Sequence, residues 1–407
     1  MSLLSSSFGR TKQILKTRGA IWVTENIPLN RRQFHAPEIE YACKKAPSAG
    51  DCIEYPLSTS ETFATVPREL YRATADFMRT DDYDDSRGGV VNRFSASGWK
   101  IAKGRVYSNR ASQYFVISSA NRILPAVSYR HEDAIAGVPE DGIRLNAKYF
   151  PFPEKYSGSA LNLILGGGPA TNIYHWMIDA LPMLKLADAV RPLDQIDHFL
   201  VKGKDNGFRL KSLTMLGIDP RKIHFFPDQL IHAQADELIA GAHPRGRLSN
   251  ITPDWVIDFH RENYLTRVDR LPGDWPEKIY VSRRDSKLRS VENEQELSDA
   301  LRKRGFTEVV LSDYGYDAKI ALFSHAREIV SMSGAGLAFL MYCQPGARVL
   351  EMFPAGFVHY ANCVIATQVG LDYRYLIFGD EQTGKGDYQA QREHLRVDVS
   401  QVERALT

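Results

Sequence analysis

The run Asn172-Ile-Tyr-His-Trp-Met-Ile-Asp-Ala-Leu-Pro182 places His175 and Asp179 four residues apart. On a helix that spacing puts both side chains on one face, so imidazole and carboxylate can touch. A carboxylate beside a histidine orients the ring and stabilises its cation, an arrangement suited to a general base near neutral pH. The same spacing also serves a pair that only caps and packs. Asn172 stands with His175 at the end of the helix expected to face the crevice. Ser282-Arg-Arg-Asp-Ser-Lys-Leu-Arg289 sets four cations directly after a predicted strand. The guanidinium forks of Arg283 and Arg284 suit diphosphate oxygens, and a solvated basic loop is the plain alternative.

A third candidate needs no charge. Ser331-Met-Ser-Gly-Ala-Gly-Leu-Ala-Phe-Leu340 reads as a strand, a small-residue turn and a helix start. There Ser333, Gly334, Ala335 and Gly336 would present backbone amides and a helix dipole to an anion, although a tight turn needing glycine reads equally well. Glu351 falls inside the next apolar run, where a lone carboxylate is costly to bury and ligand hydroxyls could bond it. Two weaker signals remain. Gly166-Gly167-Gly168 would let a substrate approach the backbone, but it matches neither a dinucleotide fingerprint nor a P-loop. Asp81-Asp-Tyr-Asp-Asp85 contains an Asp-x-Asp that could hold a divalent cation, yet no apolar strand precedes it and a solvated acidic loop is expected. Cys43, Cys52, Cys343 and Cys363 show no zinc or redox spacing and read as structural thiols.

The elements that must position these residues alternate in two series. Leu161–Leu165, His198–Val201 and Lys222–Phe226 read as strands, with helices over Thr171–Val190, Asn206–Leu216 and Pro253–Val268. After the Pro/Gly-punctuated segment Leu271–Pro276 the alternation resumes. Strands fall at Lys278–Ser282, Glu308–Leu311, Glu328–Met332 and Arg348–Phe353, with helices over Asn293–Arg304, over Asp317–Ala326 and from Gly336. Such alternation indicates α/β architecture with parallel sheets, whose ligands bind at the carboxyl ends of the strands. Arg105–Tyr129 reads as a β-meander, and residues 1–95 as an irregular or β-rich N-terminal extension. The expected division is 1–95 for the extension, 96–270 for one Rossmann-like domain and 271–407 for a second.

A chain of 407 residues accommodates such a division, and 43% apolar with 25% charged residues is the composition of a globular protein. A formal net charge of +2 excludes the basic footprint of a dedicated nucleic-acid binder. Tyr156–Ile178 and Ile329–Ala347 carry no charge, but glycines and polar residues interrupt both, so neither reads as a membrane span. The N-terminus lacks the apolar core of a secretory signal, and a cytoplasmic protein is expected, with peripheral association at the inner face of the membrane compatible.

Three of these runs, in order, resemble the signatures of the family 61 glycosyltransferases: Asn172-x-x-His175-Trp176-x-x-Asp179-x-Leu181-Pro182, Tyr280-Val-Ser-Arg-Arg-Asp285, and Gly334-Ala-Gly-Leu337 with Cys343–Pro354. The resemblance spans about Arg105 to Leu406. Ser333 is a departure, because family members usually carry histidine there. The resemblance implies a GT-B fold of two Rossmann-like domains facing a cleft, a nucleotide-sugar donor such as a UDP-sugar held mainly by the C-terminal domain, and a glycan or other hydroxyl acceptor. It also implies inversion at the anomeric carbon and no obligatory metal or other cofactor. Bacterial relatives commonly serve cell-surface polysaccharide biosynthesis. On this reading His175, oriented by Asp179, deprotonates the acceptor. Arg283, Arg284 and Ser333–Gly336 stabilise the leaving diphosphate, Glu351 holds donor hydroxyls and Asn172 contacts substrate. The Ser333 departure motivates an alternative, a non-catalytic carbohydrate- or nucleotide-binding protein on a degenerate transferase scaffold. A third reading is a metal-dependent transferase using Asp82 and Asp84.

Overall fold

The computed structural model describes residues 34–35, 51–75, 78–110, 113–130, 149–165, 172–204, 207–227, 230–246, 249–268, 271–286, 288–379, 392 and 394–407. The triple glycine at 166–168, Lys287 and Cys43 lie outside them. Cys52, Cys343 and Cys363 are buried free thiols.

The described residues form a mixed α/β structure with two large sheets. The first has ten strands. In chain order these are β1 (Cys52–Thr65), β2 (Asp82–Asp84), β3 (Gly89–Ala102), β4 (Arg105–Arg110), β5 (Gln113–Ile117), β6 (Tyr129–Arg130), β7 (Glu154–Leu163), β8 (His198–Lys202), β9 (Ile223–Phe226) and β10 (Ile231–Gly241). Its spine runs β9-β8-β7-β10-β4-β5-β6. β7, β8 and β9 are parallel, and β10 is parallel to β7 on the other side. Along its other edge β10 pairs antiparallel with β4 through Ile231–Gln234 and with β3 through Glu237–Gly241.

The second sheet is wholly parallel. Its strands are β11 (Lys278–Ser282), β12 (Thr307–Val310), β13 (Glu328–Met332), β14 (Arg348–Pro354) and β15 (Asp372–Phe378), in the spatial order β12-β11-β13-β14-β15. The helices used below are α1 (Ile173–His175), α2 (Met183–Asp188), α3 (Phe208–Met215), α4 (Asp254–His260), α5 (Glu294–Lys303), α6 (Tyr316–His325) and α7 (Ala361–Val369). Among the described residues no helix is long and apolar enough to cross a membrane.

Both parallel regions reverse their strand order beside their first strand, β7 in one and β11 in the other. Such switch points open a crevice at the strands' carboxyl ends, because the connections on either side leave in opposite directions. One lies between β7 and β10, the other between β11 and β13.

Among the described residues the N-terminal extension takes the β-rich form from Cys52 on: β1 and β3 pair antiparallel over most of their lengths and join the first sheet through β10. The structure corrects two expectations. The Asp81–Asp85 run is not a solvated loop, since Asp82–Asp84 is a strand on β3 and Asp81 is buried. The helix from Gly336 is instead a 3₁₀ helix over Ala335–Tyr342, all of it buried from Leu337 onward. One core runs through both sheets, from Leu161 and Val201 through Phe259 and Tyr264 to Ile279, Ile329 and Leu337.

Candidate active site

The first half-site opens at the β7/β10 switch point. Asn172 caps α1, its side-chain oxygen accepting the Tyr174 amide at 2.9 Å. A π-helical turn, Trp176–Ala180, then joins α1 to α2, with the Leu181 amide donating to Trp176 O at 2.9 Å. Pro182 accounts for this widening, because it has no N–H and its ring would clash with a carbonyl of the preceding turn of an α-helix. The Met177 carbonyl accepts instead from His260 Nε2 on α4, at 2.6 Å.

Within this helix His175 Nδ1 lies 2.7 Å from Asp179 Oδ2. The Asp179 side chain is buried, whereas that of His175 is 31% exposed. Two groups from the loop after β10 complete the cluster. Arg245 donates through Nε to Asp179 Oδ1 at 2.8 Å and through Nη2 to Oδ2 at 3.0 Å, a bidentate pair. His243 Nε2 lies 3.9 Å from Oδ1. Burial pushes the Asp179 pKa up, but the Arg245 charge, His243 and the His175 hydrogen bond outweigh it, holding the carboxyl well below the usual range. Burial and the Arg245 charge together push the His243 imidazole down to about 4, against the pull of Asp179, so it stays neutral. An ionised Asp179 can only accept, so the proton of a neutral His175 sits on Nδ1 and Nε2 carries the lone pair. This ring can take a proton from a group in the crevice.

The second half-site lies at the β11/β13 switch point, where Arg283 and Ser333 each follow the last residue of their strand. A Cβ on Gly334 would run into Arg283 Nη1, so the guanidinium lies directly on the turn. Arg283 donates through Nη2 to Ser286 Oγ at 2.7 Å and Leu288 O at 2.9 Å, and its buried Nε has no partner among the described residues. Glu294, at the start of α5, fixes the loop by accepting from Ser282 Oγ and the Arg283 amide. The Ser333 amide is engaged by Met352 O at 2.8 Å. Among the described residues, the amides of Gly334, Ala335 and Gly336 have no acceptor.

Arg284 points elsewhere: its side chain is 54% exposed and pairs with Glu308. Arg289 lies on the other side of the turn, buried, donating through Nε to Ser333 O at 3.0 Å and lying over the Phe357 ring. Glu351 is fully buried beneath, with Asn362 Nδ2 donating to Oε1 at 2.8 Å and the Tyr373 hydroxyl to Oε2 at 2.7 Å. Burial pushes Glu351 up to about 7, although the hydrogen bonds of Tyr373, Asn362 and Ser333 and the Arg289 charge act against it. His359 reaches the turn from the segment before α7, its Nε2 3.1 Å from Ser333 Oγ. Its buried Nδ1 has no partner among the described residues, and burial followed by the Arg289 charge pushes the ring down to about 3, so it is neutral.

The structure thus brings Asn172, His175 and Asp179 together, and separately Arg283, Ser333–Gly336 and Glu351. α1 packs against the 3₁₀ helix that follows the turn, so the two groups adjoin. Sequence reasoning missed Arg245, His243 and His359 as site residues and named Arg289 only as one of the four cations of the 282–289 run. Arg245 and His243 follow β10, a strand whose mixed pattern Ile-His-Ala-Gln-Ala-Asp-Glu-Leu was not read as one. His359 gave no signal, since only the fold carries it to Ser333. The Asp-x-Asp gathers no ligand set: Asp84 is occupied by Ser86 and Arg87, and no cluster of three metal-ligating side chains occurs among the described residues.

No curated protein matches the chain. A family model does: the model described as Glycosyltransferase 61 matches residues 173–350. The match begins one residue after Asn172 and ends one residue before Glu351, taking in His175, Asp179, Arg245, Arg283 and the Ser333–Gly336 turn. Through these residues this part of the chain is similar to the glycosyltransferase 61 family.

Proposed function

We propose that the chain is an inverting glycosyltransferase that moves a sugar from a nucleotide-sugar donor to a hydroxyl acceptor without an obligatory metal. The observation that carries this reading is the His175–Asp179–Arg245 cluster, which gives a half-exposed imidazole a fixed tautomer with its lone pair on Nε2. His175 Nε2 takes the proton of the acceptor hydroxyl as its oxygen attacks the anomeric carbon. The bond from that carbon to the diphosphate breaks, and the electron pair leaves with the nucleoside diphosphate. Two buried guanidiniums, Arg283 and Arg289, and the amides of Gly334, Ala335 and Gly336 receive that charge, as fixed donors aimed at developing charge do in a water-poor site. Asn172 borders the acceptor and Glu351 orders the floor of the donor pocket, whereas Arg284, turned outward onto Glu308, takes no part. A glycan acceptor, a UDP-sugar donor and a role in cell-surface polysaccharide assembly at the cytoplasmic face of the membrane belong to the same reading.

A thermal-shift screen against UDP-, GDP- and CMP-sugars tests it first, because a ligand of the folded state raises the unfolding temperature. The donor that stabilises the chain is then incubated with an acceptor panel, and the anomeric configuration of the product is read by NMR. Inverted product with turnover unaffected by EDTA is expected, and His175→Ala should lower turnover by roughly a hundredfold to ten-thousandfold, as loss of a general base does. Retained configuration, or full activity in His175→Ala, would overturn the assignment. Binding without transfer or donor hydrolysis across the panel would instead favour the non-catalytic binding protein.

A further inference from the structure

Asp81 is the member of the acidic run that neither a metal site nor a solvated loop explains. Its carboxylate is 5% exposed and takes four donors. Oδ1 accepts from Ser249 Oγ at 2.5 Å and Asn92 Nδ2 at 2.8 Å. Oδ2 accepts from the Asn250 amide at 2.9 Å and the Tyr360 hydroxyl at 3.1 Å. Two of these donors belong to Ser249 and Asn250, the backbone against which Arg245 is braced, since Arg245 Nη1 donates to the Ser249 carbonyl. The other two belong to β3 and to the residue preceding α7, both fixed in the core. A continuous hydrogen-bonded path therefore runs from Asp81 through Ser249 and Arg245 to Asp179 and His175. Only a carboxylate accepts from all four neighbours; an amide would turn its NH₂ toward two of the donors.

We propose that Asp81 is a positioning residue: by anchoring Ser249 it keeps Arg245 on Asp179 and so sets the charge felt by His175. The groups facing the His175–Asp179 pair are Arg245, His243, Tyr174, Tyr114 and Tyr129. Arg245 carries the one fixed positive charge among them. If it loosens, Asp179 keeps its negative charge with less compensation, and the pair retains its extra proton to higher pH.

The proposal rests on reading His175 and Asp179 as the working pair, but its test needs no substrate. The full chain is labelled with ¹⁵N-histidine, the His175 signals are assigned by their loss in His175→Gln, and the titration is followed by NMR. In Asp81→Asn the midpoint of His175 should move up, by at most the roughly one pH unit that losing a nearby charge brings. Ser249→Ala, a small truncation that cuts the same path, should move it in the same direction and decides the matter if Asp81→Asn does not fold. Asp82→Asn, at the exposed neighbour, should leave it in place. An unchanged or lowered midpoint in a folded Asp81→Asn or Ser249→Ala protein overturns the proposal. Failure to find any glycosyl transfer would sink the proposed function while leaving the midpoint result intact.

Discussion

At the scale of single residues, the chain places one ionised and one nearly neutral carboxylate in its two half-sites, and their partners decide which is which. Asp179 has a guanidinium and an imidazole on it; Glu351 has only neutral donors in direct contact. Removing the Asp179 charge leaves Arg245 buried and uncompensated. Asp179→Asn should therefore cost about 3–5 kcal/mol, the usual penalty for breaking a buried pair, and chemical denaturation that detects under 1 kcal/mol would contradict this account. Glu351 gives the opposite pH dependence. Its folded-state pKa of about 7 lies above the ordinary glutamate value of 4.5, so between these values the native state holds a proton that the unfolded chain has lost. Its contribution to stability therefore falls as pH rises through that window and is constant above it. Glu351→Gln removes the charge and leaves the Tyr373 hydroxyl free to turn and accept. Stability of Glu351→Gln minus that of wild type should grow by about 3 kcal/mol from pH 4.5 to pH 7, in proportion to the shift. A flat difference between the two proteins across that range would show that Glu351 is not held near neutrality.

At the scale of elements, the helix from Ile173 to Asp188 shows what was legible in the sequence and what was not. The i, i+4 spacing of His175 and Asp179 correctly forecast contact, because side-chain direction on a helix depends on local geometry alone. Arg245 was out of reach, since it sits 66 residues from Asp179 and meets it only because β10 inserts beside β7. β10 hid because its two halves pair with different strands, so no single alternation runs along it. The parallel strands β11, β13 and β14 were readable because strands covered on both faces are continuous apolar runs. The π turn was also present in the sequence, as Pro182, but its consequence depends on His260. That imidazole donates from Nε2 to Met177 O and so accepts at Nδ1 from the Tyr342 hydroxyl at 2.8 Å, and burial pushes it down to about 4. It thereby ties the helix that carries His175 to the 3₁₀ helix after the Ser333–Gly336 turn. His260→Leu leaves the Met177 carbonyl unpaired in the core and the Tyr342 hydroxyl with only the Tyr316 hydroxyl, at 3.4 Å, and should destabilise the fold by about 1–3 kcal/mol, the cost of one orphaned group. A loss below 1 kcal/mol on denaturant titration would mean that these groups find other partners.

At the scale of the whole molecule, the Leu271–Pro276 segment invites a picture of two bodies swinging on a hinge, and the packing argues against independent unfolding. Domains joined only by a linker keep separate cores and a polar interface. Here the apolar core is continuous from β7 and β8 through α4 to β11, β13 and the 3₁₀ helix, and His260 and Arg261 add polar contacts across it. Even the linker is packed, with Trp275 set against His325 of α6. Stability held in a shared core cannot be lost from one sheet alone, because the exposed face of the other would then lose its cover. Unliganded protein should therefore show a single calorimetric transition, with calorimetric and van't Hoff enthalpies equal. His260→Leu should lower its temperature without splitting it. Two resolved transitions in the wild-type protein would mean that the sheets behave as separate domains and that the half-sites meet only by domain closure.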